Sequence, residues 1–130
     1  QPKYIFHPPK VKLPLFPITA KPIKGRVLLV EGIYDVINLH DKGLTNAICC
    51  FGVNNVTTAK LELLKMRGVD QVDICFDPDE AGTTHAEKVA TECEKVGLKH
   101  YTVRISPELG DAGALGIHAV TTLKGKLYGI

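Results

Sequence analysis

The residues best suited to chemistry in this sequence are acids, and they gather in three places. Glu31 and Asp35 follow the apolar run VLLV, Asp77 and Asp79 lie in the stretch DPDE, and Asp111 follows Gly110 late in the chain. Gly32 permits a sharp turn directly after Glu31. In DPDE the two aspartates are two apart, and on extended backbone that spacing aims both carboxylates to one side. Carboxylates held so close repel one another and resist ionising together. A bound Mg²⁺ relieves that repulsion, because a hard cation prefers carboxylate and water oxygens. Simpler uses exist for some of these acids. Asp79, before a helical pattern, also suits an N-cap, and Asp35 suits a first helical turn, where it complements the helix dipole. Glu31 is different, since an acid ending a buried strand has few structural uses.

Other reactive side chains carry less information. His7, His40, His85, His100 and His118 share no spacing and no strand end, so core or surface roles are expected for them. Cys49, Cys50, Cys75 and Cys93 form no C-x-x-C pair, and the first three lie inside apolar runs. They read as buried thiols rather than metal ligands, which suits a reducing, cytoplasmic compartment. The signatures G-x-S-x-G, G-x-x-x-x-G-K and G-x-G-x-x-G are all missing from the sequence. That argues against a serine hydrolase, a P-loop nucleotidase and a dinucleotide enzyme.

The acids need elements to position them, and the chain supplies an alternating set. The continuous apolar run at 27–31 predicts a strand buried on both faces, 47–52 a second short buried strand, and 71–77 and 100–105 two further strands. Between and after them, 34–42, 57–67, 80–96 and 112–123 carry helical spacing, with Gly43, Gly68 and Gly97 as stops. Alternation of this kind predicts an α/β fold whose sheet is mostly parallel, with helices on both faces. Sites in such sheets form beyond the carboxyl ends of strands, where the acid clusters fall.

Composition agrees with one globular domain. The chain has 130 residues, 45% hydrophobic and 23% charged, with a net charge of +2. It has no run of 18 apolar residues and no signal-peptide core, so neither a membrane span nor secretion is expected. It begins at Gln1, the mark expected of a fragment of a longer chain. The charge is unevenly spread: residues 1–26 hold six basic groups, six prolines and no acid. So many prolines forbid a long helix, which makes residues 1–26 an extended basic arm before a body at 27–130.

VLLVEGIYDV followed about 45 residues later by VDICFDPDEAG resembles the Toprim domain. Glu31-Gly32-Ile33-Tyr34-Asp35 and Asp77-Pro78-Asp79-Glu80-Ala81-Gly82 match its two motifs, and Pro2-Lys3-Tyr4 is similar to a segment of bacterial-type primases. The late motif differs: Gly110-Asp111-Ala112-Gly113 keeps one acid where the family commonly has two, which leaves a second metal open.

The resemblance implies a Toprim fold, a central four-stranded sheet preceded by the end of another primase subdomain. It implies Glu31 as acid–base or metal-organising carboxylate. Asp77 and Asp79 would hold Mg²⁺, or Mn²⁺ in its place, with Asp35 and Asp111 in support. Lys3, and with it Lys10 and Lys12, would meet nucleotide or template phosphates. The implied reaction is nucleotidyl transfer that makes RNA primers for replication. Its partners would be single-stranded DNA and nucleoside triphosphates, with a replicative helicase engaged by other parts of the full-length protein. A bacterial, phage or plasmid origin fits equally. Two other classes stay open: a Toprim topoisomerase or nuclease breaking phosphodiesters, and a non-catalytic Toprim or receiver-like binding module.

Overall fold

The computed structural model describes residues 14–106 and 112–130. Its centre is β1 (Arg26–Val30), an apolar strand with a different destination for each face. Val27 and Leu29 enter one core cluster, while Leu28 and Val30 enter a second on the opposite side. This is the period-two alternation of a strand buried on both faces. Strands β2 (Ala47–Cys49), β3 (Gln71–Ile74) and β4 (Lys99–Thr102) complete the sheet. The order is β2-β1-β3-β4, and every pairing is parallel.

The helices divide between the two faces. Helix α1 (Ile33–Asp41) and α4 (Ile117–Tyr128) send Val36, Leu39, Val120 and Tyr128 into the cluster of Leu28 and Val30. Helix α2 (Thr58–Met66) and α3 (Glu80–Lys95) send Leu61, Leu64, Val89 and Cys93 into the cluster of Val27 and Leu29. The chain steps from β1 to β2, then crosses back over β1 to β3. Right-handed crossovers require the covering helix to change faces at such a reversal, and it does. The reversal lies between β1 and β3. Among the described residues no helix is long and apolar enough to cross a membrane.

One buried charge ties the far ends of the chain together. Asp73, on β3, is fully buried and faces the α1–α4 side. It accepts from Arg26 Nε and Nη2, both at 2.9 Å, from Tyr128 Oη at 2.8 Å and from Gln71 Nε2 at 2.9 Å. Arg26 also lies over the Tyr128 ring, 5.0 Å from its centroid. A buried carboxylate persists only when its acceptor sites are filled in this way. An acid inside an apolar strand is the feature that the sequence pattern passed over.

Several elements are shorter or shifted relative to expectation. β2 ends at Cys49, followed by two more ladder bonds, Cys50 N–H to Val30 and Phe51 N–H to Glu31, before Phe51 (φ 55°) and Gly52 (φ 111°) turn the backbone away. β3 stops at Ile74 and β4 at Thr102, each followed by one more ladder bond, Cys75 N–H to Leu29 and Val103 N–H to Ile74. The last helix is displaced. Ala112–Ala114 forms a single 3₁₀ turn, and α4 runs on to Tyr128 through Gly125, closed by Gly129 at φ 70°. Burial of Tyr128 against Asp73 outweighs the weak propensity of Gly125. Of the basic arm, residues 14–26 are described. Leu15 is buried in the core, and Phe16 bridges antiparallel to Cys49. Lys3, Lys10, Lys12 and Asp111 lie outside the described residues.

The Asp73 network predicts a distinctive stability pattern in urea unfolding. Arg26→Met should cost about 3–5 kcal/mol, because it strips the counter-charge from a fully buried carboxylate. Tyr128→Phe should cost about 1.5–3 kcal/mol, the loss of one bond to a charged group. Arg26→Met with Asp73→Leu should recover most of the single-variant loss; equal losses in all three variants would contradict this.

Candidate functional site

The chain-direction reversal falls at the carboxyl ends of β1 and β3, the place where open α/β sheets bind ligands. Glu31 is the first residue past β1. Its backbone carbonyl accepts from Phe51 N–H at 3.0 Å, so the strand-two loop fixes its main chain. Its side chain crosses toward α3, where Oε2 meets His85 Nδ1 at 3.0 Å. Gly32 then turns the chain into α1. Its N–H donates to Asp35 Oδ2 at 3.2 Å, so Asp35 closes this turn from the first helical turn.

The second acid pair lies in the loop from β3 to α3. Asp77 and Asp79 are both exposed. The Asp77 carbonyl accepts from Asp79 N–H at 2.8 Å, which folds the loop back on itself. Asp79 is the N-cap of α3, its Oδ1 accepting from Gly82 N–H at 2.7 Å. The N-cap role foreseen for Asp79 is therefore filled by one of its oxygens. Gly82 is required by the same packing: a Cβ there would stand 1.9 Å from the Asp77 carbonyl oxygen. The spacing D-P-D-E-A-G thus encodes a loop, its cap and the one residue small enough to sit beneath them.

Beside this loop runs a groove of about 540 Å³. Asp77, Asp79 and Thr83 line one side, and Thr102, Arg104 and Ser106 the other. The lining thus combines one arginine with two aspartates, a setting that suits a ligand bearing both a cation and phosphate oxygens. Among the described residues no three His, Cys, Asp or Glu side chains converge as a ready-made cation cage. The donors on offer at the strand ends are carboxylate oxygens, which is the chemistry Mg²⁺ selects. The cysteines are unsuited to the task. Burial pushes the Cys49 thiol up to about 11, and those of Cys50, Cys75 and Cys93 to about 12, so they stay protonated.

The structure brings Glu31 to α3 and Asp77 to Asp79, and it gives Asp35 a turn-closing bond. Two groups escaped the sequence reading. His85 offered no ligand spacing, yet it lies three residues after Gly82 and so shares the helix face that meets the acid loop. Arg104 is two residues past β4, at the same edge of the sheet as the acids.

Comparisons with known proteins bear on the fold and the family. A family model described as Toprim-like matches residues 28–114. The chain is 33% identical over 99 residues to the DNA primase of Helicobacter pylori strain J99, covering 76% of this chain and 17% of that protein. It is 32% identical over 107 residues to the DNA primase of Geobacillus stearothermophilus, covering 72% of this chain and again 17% of the relative. A solved structure of a DnaG primase catalytic domain bound to single-stranded DNA superposes with a TM-score of 0.66 at 25% identity, covering 83% of this chain and 35% of that one. The chain thus spans about one sixth of the curated relatives' length.

The loop geometry separates structure from charge. Asp79→Ala should lower stability by about 1 kcal/mol, whereas Asp79→Asn, still a good cap, should stay within about 0.5 kcal/mol of the parent. Gly82→Ala should cost about 1–3 kcal/mol by forcing the Asp77 carbonyl aside, with amide shifts centred on residues 77–83. An unperturbed Gly82→Ala spectrum would contradict the close approach.

Proposed function

The chain belongs to the Toprim-like family, and on that premise we propose that it is the metal-dependent catalytic segment of a DNA primase. What carries the reading is one juxtaposition. Glu31, at the end of β1, is bonded to the helix whose first turn is built on Asp77 and Asp79, at the end of the neighbouring parallel strand. Primer synthesis needs such a set: one carboxylate for a proton and others for a cation.

In this proposal the nucleophile is a 3′-hydroxyl, the electrophile is the α-phosphorus of a nucleoside triphosphate, and pyrophosphate leaves. Glu31 accepts or steers the hydroxyl proton. Asp77 and Asp79 offer carboxylate oxygens to Mg²⁺ or Mn²⁺, with Asp35 and Asp111 in reserve. When bound, the cation neutralises charge developing on the phosphate oxygens. Arg104, across the groove from Asp77, presents a guanidinium to a phosphate on the other side. Lys3, Lys10 and Lys12 are assigned to nucleotide or template phosphates, an electrostatic duty that lysine serves well. The template is single-stranded DNA, and helicase contacts are left to parts of the protein beyond this chain.

Synthesis of labelled primers on single-stranded DNA by the protein that carries this chain is the test. Glu31→Gln should lower the rate by about 100-fold or more, in line with loss of a positioned acid–base group. Template cleavage in place of synthesis would assign the site to a nuclease, and an undiminished Glu31→Gln rate would remove Glu31 from the chemistry.

A further inference from the structure

We propose that His85 is a positioning residue for Glu31, holding its carboxylate in one orientation at the carboxyl end of β1. The inference rests on the reading of Glu31 as an active-site carboxylate, and it adds a residue that none of the matched motifs contains.

The main chain of Glu31 is fixed, but that alone does not fix its side chain. Its backbone is held by the ladder bond from Phe51, but several rotatable bonds separate that anchor from the carboxylate. A carboxylate in motion samples many positions and only a few of them serve a reacting hydroxyl. His85 removes most of that freedom. It comes from the second turn of α3, whose register against the sheet is set by buried Gly82, Ala86 and Val89. The imidazole is short, flat and itself half-buried, so its Nδ1 is a firmer anchor than a lysine amine would be.

The bond also specifies a tautomer. An ionised carboxylate only accepts, so the hydrogen in the 3.0 Å contact belongs to His85 Nδ1. In the neutral ring, Nε2 then carries the lone pair. Oε2 of Glu31 accepts this bond, and Oε1 keeps its full acceptor capacity. Asp79 caps the same helix and Gly82 seats it on the Asp77 loop, so the anchor of Glu31 and the second acid pair move as one body. His85 thereby couples the two halves of the acidic site without touching a substrate.

Long-range proton–nitrogen NMR on the full chain, at a pH where the ring is neutral, reads the tautomer directly. The expected spectrum shows the His85 hydrogen on Nδ1, and Glu31→Ala moves it to Nε2. In the protein that carries this chain, His85→Ala should lower the primer-synthesis kcat about tenfold with little change in nucleotide KM, an effect typical of removing an orienting partner. His85→Asn, which still offers an N–H near the Nδ1 position, should restore most of the loss. A hydrogen on Nε2 that ignores Glu31→Ala overturns the proposal. So does a parental rate in His85→Ala while Glu31→Gln is inactive, an outcome that leaves the assignment of Glu31 standing. Full activity in Glu31→Gln defeats both together.

Discussion

The parallel pairing of β1 with β3 sets the terms for everything else in this molecule. Arg26 lies opposite Gln71, and the register continues to Leu29 opposite Ile74. From there each strand runs a few residues further and delivers an acid: Glu31 from one, Asp77 and then Asp79 from the other. A slip of one residue would exchange the faces of an entire strand. Val72 and Ile74 would leave their core cluster, and Asp73 would turn away from Arg26 and Tyr128. Such a slip is opposed by hydrophobic burial on both faces and by a buried carboxylate whose donors come from β1, β3 and α4. The same register that satisfies Asp73 at the base of the strands places the acids at their tips.

Those acids carry both structural and chemical duties. Asp35 closes the Gly32 turn, and Asp79 caps α3, so each carboxylate is partly offset by backbone N–H groups and the positive end of a helix. Glu31 is offset by His85. Favourable local bonds of this kind let several negative groups share one edge of a sheet without unfolding it. Arg104 and the groove beside Asp77 then supply a place where opposite charges meet.

Much of this was legible in the residues themselves. VLLV buried on both faces, the alternation of strands with helices, and the glycines that end them required the parallel sheet. Glu31 at a strand end and the D-P-D-E-A-G spacing pointed to this edge of the sheet. What escaped notice depended on distance through space. Asp73 sits in an apolar strand with only Gln71 as a local partner, while Arg26, which balances its charge, and Tyr128 are 47 and 55 residues away in sequence. His85 meets Glu31 across 54 residues, and helical periodicity gives only the face it occupies, not what that face touches. The final helix was misplaced because Gly125 weakens the pattern just where tertiary burial of Tyr128 prevails.

The central claim is that the acids at the ends of two adjacent strands form one site around a single cation. Sub-stoichiometric Mn²⁺ added to the isotope-labelled chain tests it most directly, because paramagnetic broadening reports proximity to the ion. Amide signals of residues 31–32 and 77–83 should broaden together in the parent, and together escape broadening in Asp77→Asn. Broadening confined to one of the two segments, or centred elsewhere on the chain, would contradict it.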